Sequence, residues 1–163
     1  MNHRIISMML MLVLSQFIQP LYAVERIGRL GLGMTNQLEG GIPAISFKIQ
    51  RSKSFALGGI LGYNSSDTDG GYGFGLKLYR NFFEEPQLNF YGALTAAVIN
   101  KKTTFSDVSG FEFDLTMGSE FSFTGLRSIG FSFEFGVSLN KLDDFVIETV
   151  GDHFIVSSIH FYL

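Results

Sequence analysis

A chain of 163 residues with no cysteine has room for one domain, and it can carry neither a disulfide framework nor thiolate chemistry. Twelve Lys and Arg against fifteen Asp and Glu leave a net charge of −3, which excludes the basic face that a nucleic-acid partner needs. Phe (18) and Gly (19) are both abundant, Pro stops at 3 and Trp is absent.

The first element is an export signal. Met1 to Arg4 form a short positive start, Ile5 to Leu14 an apolar run, and Pro20 leads into Leu21-Tyr22-Ala23. This three-part plan predicts a secretory signal peptide over residues 1–23, cut after Ala23, and a β-barrel domain over 24–163. The apolar run is about ten residues, short of the roughly 20 that a spanning helix needs. No cysteine follows the cut, so lipid is not attached there. Without Arg4 the remainder holds 11 basic and 15 acidic residues.

Eight segments with a period of two follow. The first sets Leu30, Leu32 and Met34 against Arg29, Gly31 and Gly33; the second sets Ile45, Phe47 and Ile49 against Ser46, Lys48 and Gln50. The third, about Phe55 to Asn64, carries small residues on both faces. In the fourth, Tyr72, Phe74, Leu76 and Leu78 oppose Gly73, Gly75, Lys77 and Tyr79. The fifth, about Leu88 to Ile99, is again blurred by small residues. The sixth has Phe111, Phe113, Leu115 and Met117 opposite Glu112, Asp114, Thr116 and Gly118. The seventh has Phe131, Phe133, Phe135 and Val137 opposite Ser132, Glu134, Gly136 and Ser138, and the eighth runs from Phe154 to Leu163. Turns are expected at 51–54, 81–86 and 123–128 on one side. Loops are expected at 36–43, 65–70, 101–110 and 141–152 on the other.

Successive side chains of a strand point to opposite faces, so every segment has one bulky apolar face and one small or polar face. A soluble sandwich would turn the Phe faces inward and show the other faces to water. Glycine is a poor choice for a water-facing strand, because it costs backbone entropy and packs nothing. It suits a wall where space is short, and the inside of an eight-stranded barrel is only wide enough for side chains to fill. The expected fold is therefore all-β: an eight-stranded antiparallel up-and-down transmembrane β-barrel, its Phe faces toward lipid.

On these segments the chain resembles the small outer-membrane barrels of the OmpA transmembrane-domain and OmpX type. The resemblance covers the whole of 24–163 and rests on architecture, with the C-terminal strand Phe154 to Leu163 as its most specific part. It implies a cell outer-membrane location and recognition of that last strand by the outer-membrane assembly machinery. Such strands usually close on an aromatic residue, whereas this one ends Phe161-Tyr162-Leu163. The partners it implies are outer-membrane lipid and the assembly machinery. The role it implies is structural, adhesive or envelope-interacting, without enzyme activity, cofactor or metal. A narrow channel is the second reading, with a lipid A-modifying enzyme and a secreted lipocalin-like carrier behind it.

The small faces also carry charge. Arg29, Lys48 and Lys77 are set against Glu112, Asp114, Glu120 and Glu134, with His160 beside them. Unpaired charge in a narrow lumen is costly, so these residues are expected to form a luminal ionic cluster that plugs the tube, with an ion path as the alternative. Lys77, Glu120 and Arg29 are expected at its inner end, His160 at its margin. The runs His153-Phe154-Ile155 and His160-Phe161-Tyr162 lack the His-x-Ser spacing of the lipid A deacylase type. Asp67-Thr68-Asp69-Gly70-Gly71 resembles a calcium loop but has no Glu at the offset such loops use. The stretch Lys141 to Asp152 is unusually apolar for a loop, which predicts either an ordered extension of the strands or an edge for an extracellular protein partner to join.

Overall fold

A computed structural model describes residues 26–66, 70–102, 107–151 and 154–163. The signal segment 1–23, the carboxylates of the candidate calcium loop and His153 lie outside the described residues.

Alternation of bulky and small residues produces strands throughout, and the described residues contain no helix. Seven staves are single strands: β1 Leu30–Thr35, β2 Ala44–Ser52, β3 Phe55–Asn64, β4 Gly71–Glu85, β5 Leu88–Lys102, β6 Asp107–Phe121 and β7 Ile129–Lys141. The eighth is in two pieces, β8 Phe145–Thr149 and β9 Val156–Tyr162. Each strand from β1 to β7 pairs antiparallel with the next, and β9 pairs with both β7 and β1, so the sheet closes on itself. The molecule is an eight-stranded antiparallel up-and-down β-barrel.

The longer strands exceed expectation. β4, β5 and β6 each have 15 residues. The turn expected at 81–86 shrinks to Pro86-Gln87, because β4 continues past a bulge between Asn81 and Phe83. Phe83 stacks on Phe90 across the extension, with ring centroids 5.1 Å apart.

The eighth stave departs more. β6 covers one edge of β7; on the other edge β9 pairs with Ile129 to Glu134 and β8 with Val137 to Lys141. Between the two pieces, Gly151 and Phe154 adopt left-handed φ values of 74° and 76°. That conformation is rare for a phenylalanine and takes the chain out of the ladder. The stretch 141–152 is thus an ordered β7–β8 hairpin over its described residues.

Burial is inverted relative to a water-soluble fold. Phe74, Phe113, Phe133, Phe135 and Phe161 on the outer face are about half exposed, at 46 to 53%. Ser132, Glu134, Thr116, Asp114 and Lys77 on the other face are at most 3% exposed. The blurred strands obey the same rule. Ala56, Gly58, Ile60 and Gly62 of β3 line the lumen, as do Tyr91, Ala93, Thr95, Ala97 and Ile99 of β5.

Candidate functional site

The lumen is filled in two storeys. At the end with the short turns, charge dominates. Glu120 of β6 pairs with Lys48 of β2 at 2.9 Å and with Arg26, and it accepts a hydrogen bond from the Tyr162 hydroxyl at 2.8 Å. Glu134 of β7 accepts from Lys77 of β4 at 2.7 Å, from Thr116 at 2.7 Å and from the Tyr91 hydroxyl at 2.9 Å. The Lys48 ammonium also lies 4.5 Å from the Tyr79 ring centre and 4.9 Å from that of Tyr91. The Arg26 guanidinium stands 4.4 Å over Tyr162. Each carboxylate is therefore held by cations and hydroxyls together, as a buried charge requires.

Period-two alternation places these groups without special geometry. Lys48, Lys77, Glu112, Asp114, Glu120, Glu134 and His160 all occupy inward positions and are buried. Arg29 does not join them: it is exposed. It precedes β1 behind a turn in which Gly28 takes φ 79° and the Arg29 N–H donates to the Arg26 carbonyl at 3.0 Å. The turn breaks the alternation that would have aimed Arg29 inward and brings Arg26 to Glu120 instead. Nor do Lys77 and Glu120 meet: Lys77 pairs with Glu134, and Lys48 with Glu120.

At the other end the filler comes from the chain between β1 and β2. Residues 36–43, expected as an outer loop, turn into the barrel and bury Gln37, Leu38 and Ile42 at 1% exposure. Leu38 and Ile42 form an apolar cluster with Ala44, Ile60, Ala97 and Ile99. The glycines opposite explain the fit. A Cβ on Gly62 would lie 2.7 Å from the Leu38 Cδ1, and one on Gly73 would lie 2.6 Å from the same atom. Gly31 under Tyr162 and Gly118 under Tyr91 leave comparable room for rings. The sequence signal for this insertion was two apolar residues in a loop facing a wall of glycines.

Gln37 joins the storeys. Its amide nitrogen donates to Thr95 Oγ1 and Asp114 Oδ2, both at 2.7 Å, and its carbonyl accepts from the Lys77 ammonium at 2.5 Å. Two residues further, the Glu39 N–H donates to Glu112 Oε2 at 3.0 Å. Glu112 and Asp114 are thus engaged by the inserted segment, apart from the cation-rich storey.

His160 lies 3.0 Å from the Ser46 hydroxyl through Nε2, while its Nδ1 has no hydrogen-bond partner among the described residues. A serine–histidine pair needs a third group to orient the ring, as well as access for substrate; this one is sealed inside the wall. Among the described residues no group of three His, Asp or Glu side chains is placed to hold a metal ion.

The arrangement defines a class: a closed antiparallel barrel with an apolar exterior and a lumen filled by ion pairs, tyrosines and an inserted segment. Compared with known proteins, the chain matches no family model, no curated protein and no solved structure.

Proposed function

We propose that this barrel is an integral outer-membrane protein of the OmpA transmembrane-domain and OmpX type, exported by residues 1–23 and playing a structural, adhesive or envelope-interacting role. One observation carries the reading: the continuous outer wall is apolar while lysine and glutamate are buried within. Strands β1 to β7 and β9 are paired on both edges around the barrel, which is the condition for crossing hydrocarbon. Exposed apolar area of this extent marks a membrane or protein contact.

Aromatic residues at both ends support it. Tyr63 and Tyr72 pair on the outside of β3 and β4 next to the 65–70 loop, at 72% and 57% exposure. At the opposite end Phe82, Phe83 and Phe123 are exposed, and Phe121 stacks on Phe131 at 5.7 Å. Membrane barrels carry such girdles where the apolar band meets water. In this reading the filled lumen makes the protein a closed body that acts through its surfaces, and conduction needs residues 36–43 to move.

Fractionation of cells tests the location. The mature protein is expected with outer membranes, released by detergent but not by salt or carbonate, and shifted on a denaturing gel by boiling. Recovery from the soluble periplasm sinks the proposal.

A further inference from the structure

The two storeys of the lumen do not balance in charge. Around Glu120 and Glu134 stand three cations, Arg26, Lys48 and Lys77. Glu112 and Asp114 have no such company. Each is 1% exposed, yet among the described residues neither forms an ion pair. They occupy successive inward positions of β6, about 7 Å apart along the strand, and they repel each other.

The neighbouring elements bring no positive charge to them. On β5, Thr95 lies opposite Asp114 and Ala97 opposite Glu112; on β7, Ser138 and Asn140 take the same places. The inserted segment supplies neutral donors, the Gln37 amide to Asp114 Oδ2 and the Glu39 N–H to Glu112 Oε2. The Glu39 carboxylate adds to the repulsion. Asn140 donates from Nδ2 to another carboxylate, Glu148 of β8. Lys77 reaches this storey only at the Gln37 carbonyl, and the Lys101 ammonium lies beside Gly40. A buried pair of carboxylates without a counter-charge is costly.

Two atoms show where a counter-charge fits. Asp114 Oδ1 and Ser138 Oγ are both buried, and neither has a hydrogen-bond partner among the described residues. Their residues are directly opposed in the β6–β7 register, which brings Cβ atoms to about 4.5–5.5 Å. Glu112 and Asn140 form the next inward pair. Four oxygen-bearing side chains thus make a square on the lumen wall, all at most 4% exposed. A proton shared by the two carboxyls would relieve their repulsion but leave the Ser138 hydroxyl unsatisfied. Carboxylate and neutral oxygen donors suit hard cations, and calcium accepts them in an irregular shell.

We propose that Glu112, Asp114 and Ser138 hold a hard divalent cation, best matched by calcium, against the inserted segment 36–43. The two carboxylates neutralise it, and the Ser138 hydroxyl gains the partner it lacks. Gln37 and Glu39 bond to oxygens of the same two carboxylates, so the cation fastens the segment in the lumen. Only two carboxylates contribute, which places the affinity among weak calcium modules, with a Kd on the order of 10⁻⁴–10⁻³ M. The site does not depend on the outer-membrane reading.

The test uses the full folded chain in non-ionic detergent micelles, freed of metal by chelation and titrated with calcium chloride. Calorimetry is expected to show one saturable site, and the urea midpoint should rise with calcium at constant ionic strength. Ser138→Ala should weaken binding about tenfold, as loss of one partner at a metal site does. Asp114→Asn keeps an oxygen for the Gln37 amide and Glu112→Gln keeps one for the Glu39 N–H, but each should abolish the calcium response. Both should also be at least as resistant to urea as the metal-free wild type, because the repulsion is gone. Asp143→Asn with Asp144→Asn, on the exposed hairpin, should bind as the wild type does. Absence of a calcium response in a folded wild type overturns the inference. So does an equal response in Asp114→Asn, or one lost only in the hairpin variant. Sodium chloride acting as well as calcium at equal ionic strength reduces the effect to screening and also overturns it. A midpoint that follows pH and ignores calcium gives the pair to a shared proton and likewise overturns it.

Discussion

Replacing Lys77 by methionine isolates the energetics of the lumen. The ammonium lies 2.7 Å from Glu134 Oε2, with both side chains 2% exposed, so removing it leaves a carboxylate with no cation bonded to it. Breaking a buried pair by deleting one partner costs about 3–5 kcal/mol. Here the lower end applies, because Thr116 and Tyr91 still donate to Glu134. The Gln37 carbonyl also loses its donor, which adds about 1 kcal/mol. The expected loss is about 4 kcal/mol, read from the urea midpoint for unfolding from lipid vesicles and scored by the boiling-dependent gel shift. Lys77→Met with Glu134→Gln should recover much of it, with a coupling of about 0.5–3 kcal/mol. Lys77→Met with Glu120→Gln should recover none, since Glu120 serves Lys48 and Arg26. Arg29→Met, at an exposed site, should stay within about 0.5 kcal/mol. Recovery by Glu120→Gln and not by Glu134→Gln would refute the pairing, and a loss below about 1 kcal/mol would refute the burial argument.

The inserted segment should respond to its glycine wall. Gly73→Val drives a side chain into Leu38, at an overpacking cost of about 1–3 kcal/mol. Adding Leu38→Ala should return the urea midpoint toward wild type, and planar-bilayer conductance should be negligible in the wild type and rise in Gly73→Val. Phe133→Arg is expected to cost about 2–4 kcal/mol in a bilayer, where an arginine on the lipid face is penalised. The adjacent Ser132→Arg acts instead by crowding the Glu134 cluster, so Gly or Ala at nearby inward positions should relieve it while leaving Phe133→Arg unchanged; relief of both would contradict the assigned faces.

Strand number, strand faces and closure were legible because a period of two is a geometric property of each strand and needs no partner. The clean alternation of Phe131 to Val137 fixed its faces locally, and the same parity sent seven of the eight expected luminal residues inward. Legibility failed wherever parity was interrupted. Arg29 lies one residue outside β1, and the turn with left-handed Gly28 rotates it away. Partner choice also escaped, since the meeting of Lys77 with Glu134 depends on how β4 and β7 stand across the lumen. Residues 36–43 read as a loop because Asn36, Gly40, Gly41 and Pro43 are turn residues. Their inward course is set by the cavity they fill. The split eighth stave was hidden because Phe145 to Thr149 and Val156 to Tyr162 each look like a strand, and only the common register on β7 shows that they share a place.

The short seam has a kinetic consequence. β5 and β6 are joined by 15 residue pairs, whereas β1 and β9 are joined by five, from Gly31 with Tyr162 to Thr35 with Ser158. Hairpins such as β5–β6 form between neighbours in sequence, while the seam must bring the two extremes of the barrel together and carries the greatest loop-closure entropy. Closure is therefore the last event of folding and the first to reverse. The amides of β1 and β9 should exchange through openings that leave the β4–β6 wall intact, so the cylinder breathes along one line, beside the place where the inserted segment enters.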